Sequence, residues 1–396
     1  MLRIAENFRW ISPIHAPDAP GFVFIGGELH ASDFGHPETQ WPSAQLSGKG
    51  CSEQEALQGC IGEGVEHLSR LEWGGEIIAR GCAGELPHGH SAQTSHEILR
   101  LLDLDSEDGT TELSWMEGVR LRDQARILLP VDLCLRRLRR DTGDTPPSAI
   151  STGCAAGQTK EAATLSALLE LVERDAAAMW WRGRRRGRAI SMETLANSGG
   201  AALLGDLRQG NSDRRTWLLD ITTDVDICCI VAISVNADGK GFATGIAAHL
   251  DVARAIRGAL LELCQIELGH RLVAAKREVR GDAALNDSDR RKLERSEKIS
   301  ADCCDLLRPD TPAHNRQVTQ EFDVPDAIEK VIEGITRIGS EPLLVDLTRP
   351  EIGIPAVRAV APGLQPFPSK VETARLARQM SGLESTDRAS EYIPLF

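Results

Sequence analysis

The sequence predicts an α+β fold, one large mixed α/β domain with helices packed on sheets. Three observations predict it. Strand-like apolar runs such as "TWLLDITTDVDICCIVAISV" and long amphipathic stretches such as "DVARAIRGALLELCQIELGHRLVAAKREV" follow one another along the chain, as expected of packed helix and sheet layers. No clean linker separates them. Hydrophobic residues are 41% of the 396 and charged ones 26%, enough for a real core. With aromatics at 4% and a single tyrosine, Tyr392, that core must be largely aliphatic.

The elements follow in order. Residues 1–46 read as irregular, rich in Pro, His and Gly, with one apolar run, "FVFIGG". "SGKGCSEQEALQGCIGEGVEHLSRLEW" reads as a turn and a helix, with Ser52 as N-cap and Glu55 completing a capping box. Residues 80–110 are loop-like, and "RILLPVDLCLRRL" is a strand and its exit. A helix runs from about Thr159 to Trp181. Asp238-Gly239 marks a hairpin in the strand-rich stretch that follows. Residues 280–315 are polar and peripheral. "VPDAIEKVIEGITRIG" and "EPLLVDLTRPEIGIPAVRAVAPGL" return to helix and strand, and the last 25 residues look loosely ordered. The division expected is an N-terminal extension packed on the core over 1–45, a main domain over 46–375 and a tail over 376–396.

A net charge of −13 argues against a general nucleic-acid or membrane-surface protein. No run approaches the length of a membrane span. "MLRIAENFRW" lacks the apolar stretch of a signal peptide, so the ten cysteines read as reduced small hydrophobes in the cytoplasm.

Two segments share a plan. Ser47-Gly48-Lys49-Gly50 leads through Glu55-Ala56 to Glu63 and Glu66; Ser151-Thr152-Gly153 leads through Glu161-Ala162 to Glu170 and Glu173. Residues three apart share a helical face, so each helix presents a pair of carboxylates. Solvated faces would explain one such pair. Two pairs behind glycine-rich turns point to converging carboxylates that need cations, and hard oxygen ligands suit Mg²⁺ shared with phosphates. The glycine turns could offer N–H groups to those phosphates. "SGKGCS" lacks the spacing of a Walker A loop. A di-iron bundle would need Glu-x-x-His pairs, which these helices lack.

The blocks "SGKG…EA…GEGVE", "STGCAAGQTKEA…LLELVERDA", "GIAAH" followed by "AIRGALLELCQ", and "VDLTRPEIGIPAVRAVAPGL" run from about residue 46 to 364. In these the sequence resembles the YcaO family, ATP-dependent enzymes that activate backbone amides in the maturation of ribosomally made peptides. The resemblance implies a nucleotide site between helices, with ATP held by Mg²⁺ ions among Glu63, Glu66, Glu170 and Glu173. It implies that Arg174 contacts phosphate and acts in catalysis. Lys49, Ser151, Gly153 and Gln158 would lie near the nucleotide, and Glu262 and Gln265 match a catalytic Glu-x-x-Gln pair. Three positions depart from the pattern. Thr152 stands for the usual asparagine, and Glu66-His67 replaces Glu-Arg. Gly258 stands where an arginine is common, with Arg257 one place earlier as the nucleotide-contacting substitute.

The implied chemistry is phosphoryl transfer to an amide oxygen, followed by loss of phosphate. A neighbouring Cys, Ser or Thr of the substrate gives an azoline by cyclodehydration; external sulfide gives a thioamide. The protein's share is positioning and charge neutralisation. The chain ends "RASEYIPLF", without the proline-rich tail of many azoline-forming relatives, which lifts the thioamide reading. A precursor peptide and a separate partner protein (E1-like and leader-binding, or TfuA-type) are expected, and a homodimer is compatible. Two alternatives stand beside the enzyme: a non-catalytic scaffold, or a nucleic-acid binder using the arginines of "WRGRRRGR" at 181–188. The plainer reading of those arginines is a solvated helix end favoured by its dipole. His88, His90 and His96 read as loop histidines, since no cysteine completes a zinc spacing, and Cys154 as a small filler.

Overall fold

Three sheets organise the chain in the computed structural model, which describes residues 2–37, 40–82, 91–92, 96–102, 112–138, 151–314, 316, 322–382, 393 and 395. The first is an antiparallel ladder of β1 (Trp10–Pro13), β2 (Val23–Leu29) and β3 (Ala44–Gly50). The second contains β4 (Ala79–Gly81), β5 (Ser91–Ala92), β6 (Leu113–Arg120), β7 (Arg126–Pro130), β8 (Cys154–Ala156), β14 (Leu343–Asp346) and β15 (Ala356–Val360). Its order is β5-β7-β6-β14-β15-β8, with β4 on β6. The third has the order β12-β11-β10-β9-β13, from β9 (Arg188–Ile190), β10 (Arg214–Asp220), β11 (Cys228–Asn236), β12 (Ala243–His249) and β13 (Asp310–His314).

Long helices cover these sheets. α1 (Glu53–Ser69) lies on β3, and α2 (Lys160–Trp181) lies between the second and third sheets, against β8, β15 and β12. α3 (Val252–Arg280) covers β12 and β11, and α4 (Val324–Arg337) packs on α2. The bounds of α2 and α3 follow from their caps: the Thr159 and Asp251 side chains accept the Ala162 and Ala253 N–H groups. Two apolar clusters sandwich the second sheet. Val357 and Ala359 point to α2, while Ala356 and Val360 point to the side of α1, the two-residue alternation of a sheet buried on both faces.

The structure departs from expectation in four places. The N-terminal stretch read as irregular contains β1 and β2, whose pairing with β3 makes one ladder from Trp10 to Gly50. Short strands among prolines and glycines carry little periodicity. Ser52 does cap α1, accepting Glu55 N–H at 3.3 Å. The Glu55 carboxylate does not close a capping box but takes Cys51 N–H at 2.9 Å and an ion pair with Arg257 at 2.7 Å. The described part of the last 25 residues, 372–382, 393 and 395, is more ordered than the composition suggests. It forms α5 (Ala374–Ser381); Leu395 is buried, and the Trp181 indole donates to Ile393 O at 2.7 Å.

The arginines after α2 are not a freely solvated end. Arg182 donates to Ser369 O and Val371 O, Arg185 to Ile221 O and Thr222 O, and Arg186 to Pro309 O. They tie surrounding loops to the helix. All ten cysteines are free. His88 and His90 lie outside the described residues, as does the side chain of His96. No helix among the described residues is long and apolar enough to cross a membrane.

Candidate active site

Three strand–helix units meet at one cavity of about 810 Å³, and each is built alike. β3 leads into α1, β8 into α2 and β12 into α3. The eleventh residue of each helix is a glutamate: Glu63, Glu170 and Glu262. Each carboxylate accepts a backbone N–H of its own strand or of the residue entering it: Ser47 at 2.6 Å, Gly153 at 3.0 Å and Ile246 at 3.0 Å. β3, β8 and β12 are edge strands of three different sheets. Their outward N–H groups need acceptors, and the glutamates supply them. Glycine sets the close approach. A Cβ on Gly48 would stand 1.8 Å from Ala56 O, and one on Gly245 would stand 2.2 Å from Leu263 N.

Three residues further on, a second side chain reaches the next unit around a ring. Glu66 of α1 accepts Ala156 N–H of β8 at 3.1 Å. Glu173 of α2 lies close enough to Glu262 of α3 for their charges to interact. Gln265 of α3 donates Nε2 to Ser47 Oγ of β3 at 3.0 Å. Two of these units are the repeated segments seen in the sequence; the third is a finding of the structure.

The ring is acidic beyond its local compensation. Burial, with Glu170 and Glu63 nearby, pushes the Glu66 carboxyl up to about 8, against the hydrogen bond from Ala156. Burial also pushes Glu173 up to about 8; Arg174 opposes this, and Glu262 and Glu170 reinforce it. At Glu63 desolvation by the cavity walls outweighs two Ser47 hydrogen bonds and raises it too. Arg174 stands 3.6 Å from both Glu170 and Glu173. Burial works against its charge, but Glu173, Glu170 and Glu262 hold the guanidinium above its ordinary value. Arg174 and Lys49, facing this larger set of partly exposed carboxylates, leave a deficit of positive charge.

That donor set fits a hard divalent cation. Among the described residues no three of His, Cys, Asp and Glu converge into a cage that could hold a metal unaided. Mg²⁺ does not need one, since it takes one or two carboxylates and completes its shell with water and phosphate oxygens. Each glutamate that accepts a backbone N–H has a second oxygen to offer.

The residues expected at the site fall into two groups. Lys49, Glu63, Glu66, Ser151, Glu170, Arg174 and Gln265 line the cavity, as does Ser47, which was not expected there. Glu173 and Glu262 stand in the ring behind it, and Gly153 supplies the N–H held by Glu170. Gln158 is exposed and not among the described lining residues. Arg257 is bound to Glu55, which lines the cavity, and stands 3.7 Å from Cys51 Sγ. Gly258 could not carry a longer side chain without displacement: its Cβ would meet Ala247 Cβ at 2.7 Å. His67 and Arg70 also line the cavity. Their spacing from Glu63 and Glu66 puts all four on one face of α1, a signal present in the sequence.

Comparison with known proteins gives the family and the fold. A family model described as YcaO cyclodehydratase, ATP- and Mg²⁺-binding, matches residues 47–365. A Rhizobium leguminosarum bv. trifolii protein named for the tfuA 3′ region is 25% identical over 345 residues, 81% of this chain and 76% of that protein. A heterocyclase solved in complex with substrate and cofactor superposes with a TM-score of 0.74 at 25% identity, covering 93% of this chain; the heterocyclase TruD gives 0.66 at 25% over 81%. This chain spans about half of each, 51% and 46%. The YcaO of Methanopyrus kandleri, bound with AMPPCP and Mg²⁺, shares the fold at a TM-score of 0.64 and 20% identity, over 92% of this chain and 88% of that one.

Proposed function

The chain belongs to the YcaO family, and from that premise we propose that it uses ATP and Mg²⁺ to phosphorylate a backbone amide of a ribosomally made peptide. The observation that carries the proposal is the ring of carboxylates facing the 810 Å³ cavity with too little positive charge of its own. Glu63, Glu66, Glu170 and Glu173 would hold Mg²⁺ together with the nucleotide phosphates, and the metal would supply charge neutralisation for phosphoryl transfer.

Around them, Arg174 offsets charge developing on the phosphates. Lys49, Ser151 and Gly153 would border the nucleotide, and Gln158 and Arg257 would reach it from outside the cavity lining. Glu262 orders the ring by fastening β12, and Gln265 positions Ser47, itself bound to Glu63. The catalytic unit is assigned to residues 46–375, with 1–45 as a packed extension and 376–396 as a tail. The product read for this chain is a thioamide formed with a partner protein, favoured by the relative from the tfuA 3′ region. The azoline reading rests on the heterocyclase bound to substrate and cofactor. The ties made by Arg182, Arg185 and Arg186 leave little of the cluster for nucleic acid. A cytoplasmic setting fits the free cysteines.

Calorimetry of ATP binding with and without Mg²⁺, on wild type and Glu170→Gln, tests the site. Mg²⁺-dependent binding lost in the variant is expected, and equal binding by the variant would refute it. Intact-mass analysis of a co-expressed precursor separates the products: exchange of oxygen for sulfur means thioamide, and loss of water means azoline.

A further inference from the structure

A second cavity, of about 440 Å³, adjoins the one that holds the carboxylates. Its floor is apolar: Leu133, Leu171, Val360, Ala361 and Leu364 are all buried. Its mouth is the loop over 366–371, where Pro368 and Lys370 are exposed. The polar groups deeper in the wall are turned to partners within the fold. Thr152 Oγ1 donates to Phe367 O at 3.3 Å, and Gln365 Nε2 donates to Pro366 O and Val371 O at 2.9 and 2.8 Å. Asp132 pairs with Arg137, and Arg358 donates to Cys154 Sγ at 3.3 Å. The floor therefore offers a ligand aliphatic surface, at a volume within the ~300–1,000 Å³ of ligand pockets.

The wall between the two cavities is thin. Ser151 and Cys154 line the first and Thr152 the second; Glu170 lines the first and Leu171 the second. Thr152 and Cys154 are two residues apart along the chain, so their Cα atoms stand no more than ~7.6 Å apart, the reach of about two or three extended residues. The pocket is also held in shape from α2, the helix that carries Glu170 and Glu173. Asp175, 0% exposed, accepts Gln365 N–H at 2.9 Å, and both its oxygens accept from Arg375 Nε at 3.0 Å. Arg182 donates to Ser369 O at 2.8 Å and to Val371 O at 2.9 Å. The loop is thus fastened before a ligand arrives, and a preformed pocket loses less conformational freedom on binding.

We propose that this second cavity is a specificity pocket for the peptide substrate, taking a large apolar side chain (leucine, isoleucine, methionine or phenylalanine) within about three residues of the activated amide. The inference rests on the amide-phosphorylation reading above. Backbone amides are chemically alike, so a site that binds phosphate and amide alone does not choose among them. A side-chain pocket within reach of that site does. Burying one leucine-sized side chain in it, in place of a small polar one, raises affinity by about tenfold or more.

The test titrates the full chain with two capped pentapeptides, one with leucine and one with serine at the centre of four glycines, followed by ligand-observed NMR. ATP–Mg²⁺ is titrated separately by calorimetry. The leucine peptide is expected to bind about tenfold or more tightly than the serine peptide. Ala361→Phe, which fills the floor, and Val371→Trp, which fills the mouth, should each remove that preference and leave ATP–Mg²⁺ affinity unchanged. Melting temperatures near that of wild type check that the variants fold. No binding of the leucine peptide at millimolar concentration, equal binding of the two peptides, or a leucine preference intact in the folded variants would each overturn the pocket, even where ATP–Mg²⁺ binds. A leucine preference that both variants abolish, in a chain that binds no ATP–Mg²⁺, would support the pocket while the nucleotide reading fails.

Discussion

Gly48 and Gly62 lie at opposite extremes of the same strand–helix unit, and alanine at each should move stability in opposite directions. At Gly48 the new Cβ would sit 1.8 Å from Ala56 O and 2.3 Å from Cys60 N, against ~3.5–4.0 Å for relaxed carbon contacts. β3 must retreat from α1 by roughly 1.5 Å or more to relieve this. That retreat breaks the 2.6 Å bond from Ser47 N–H to Glu63. Overpacking costs about 1–3 kcal/mol, and a hydrogen bond to a charged acceptor about 1.5–3 kcal/mol, together about 3–6 kcal/mol. A chain of 396 residues unfolds with an entropy near 0.8 kcal/mol/K, from ~2.1 cal/mol/K per residue, so Gly48→Ala should melt about 4–7 °C lower. At Gly62 nothing lies within 4 Å of the new Cβ, and the helix gains about 0.5–1 kcal/mol from alanine. Gly62→Ala should melt about 1 °C higher. Thermal melts of both variants decide the matter. A Gly48→Ala protein within a degree of wild type, or a Gly62→Ala protein that falls as far, refutes the close-approach argument.

Three further outcomes follow from other parts of the molecule. Glu66 and Glu173 have folded pKa values raised to about 8; stability they contribute as protonated groups is full below the ordinary glutamate range and lost as pH rises through 8. Melting in Mg²⁺-free buffer should therefore fall between pH 5 and 8.5, with a shallower slope in Glu66→Gln; an unchanged slope in that variant rejects the assignment. Glu267 is 1% exposed between Arg208, at 2.6 and 2.8 Å, and Arg214, at 3.0 Å. Glu267→Gln should cost about 3–5 kcal/mol while ATP affinity in the folded protein stays within a few-fold, measured by urea unfolding and calorimetry. Trp181→Phe removes the donor to Ile393 O, about 1 kcal/mol. Faster amide exchange at Ile393 and Leu395 would register it, and unaltered exchange would show these residues are held otherwise.

Much of the site was legible because its signals are local. α2 is bounded by a threonine cap and an uninterrupted helical pattern, and its Glu170, Glu173 and Arg174 follow from spacing along one helix. The third unit was hidden because "FATGIAAH" lacks the glycine-turn and Glu-Ala pair of the other two. Its likeness lies in the position of Glu262 along α3 and in the N–H it accepts, which no residue pattern encodes. β1 and the full extent of β2 were hidden because a short ladder punctuated by proline and glycine has too few alternating positions to register.

The three edge strands around the cavity carry a thermodynamic consequence. Because each belongs to a different sheet, the cavity works as a keystone: no sheet contains it, and it exists only while all three are docked. A ligand held there stabilises the whole assembly by RT ln(1 + [L]/Kd), distributed over every sheet at once. Undocking any one sheet, even far from the carboxylates, forfeits the ligand, so nucleotide occupancy reports the integrity of the entire chain.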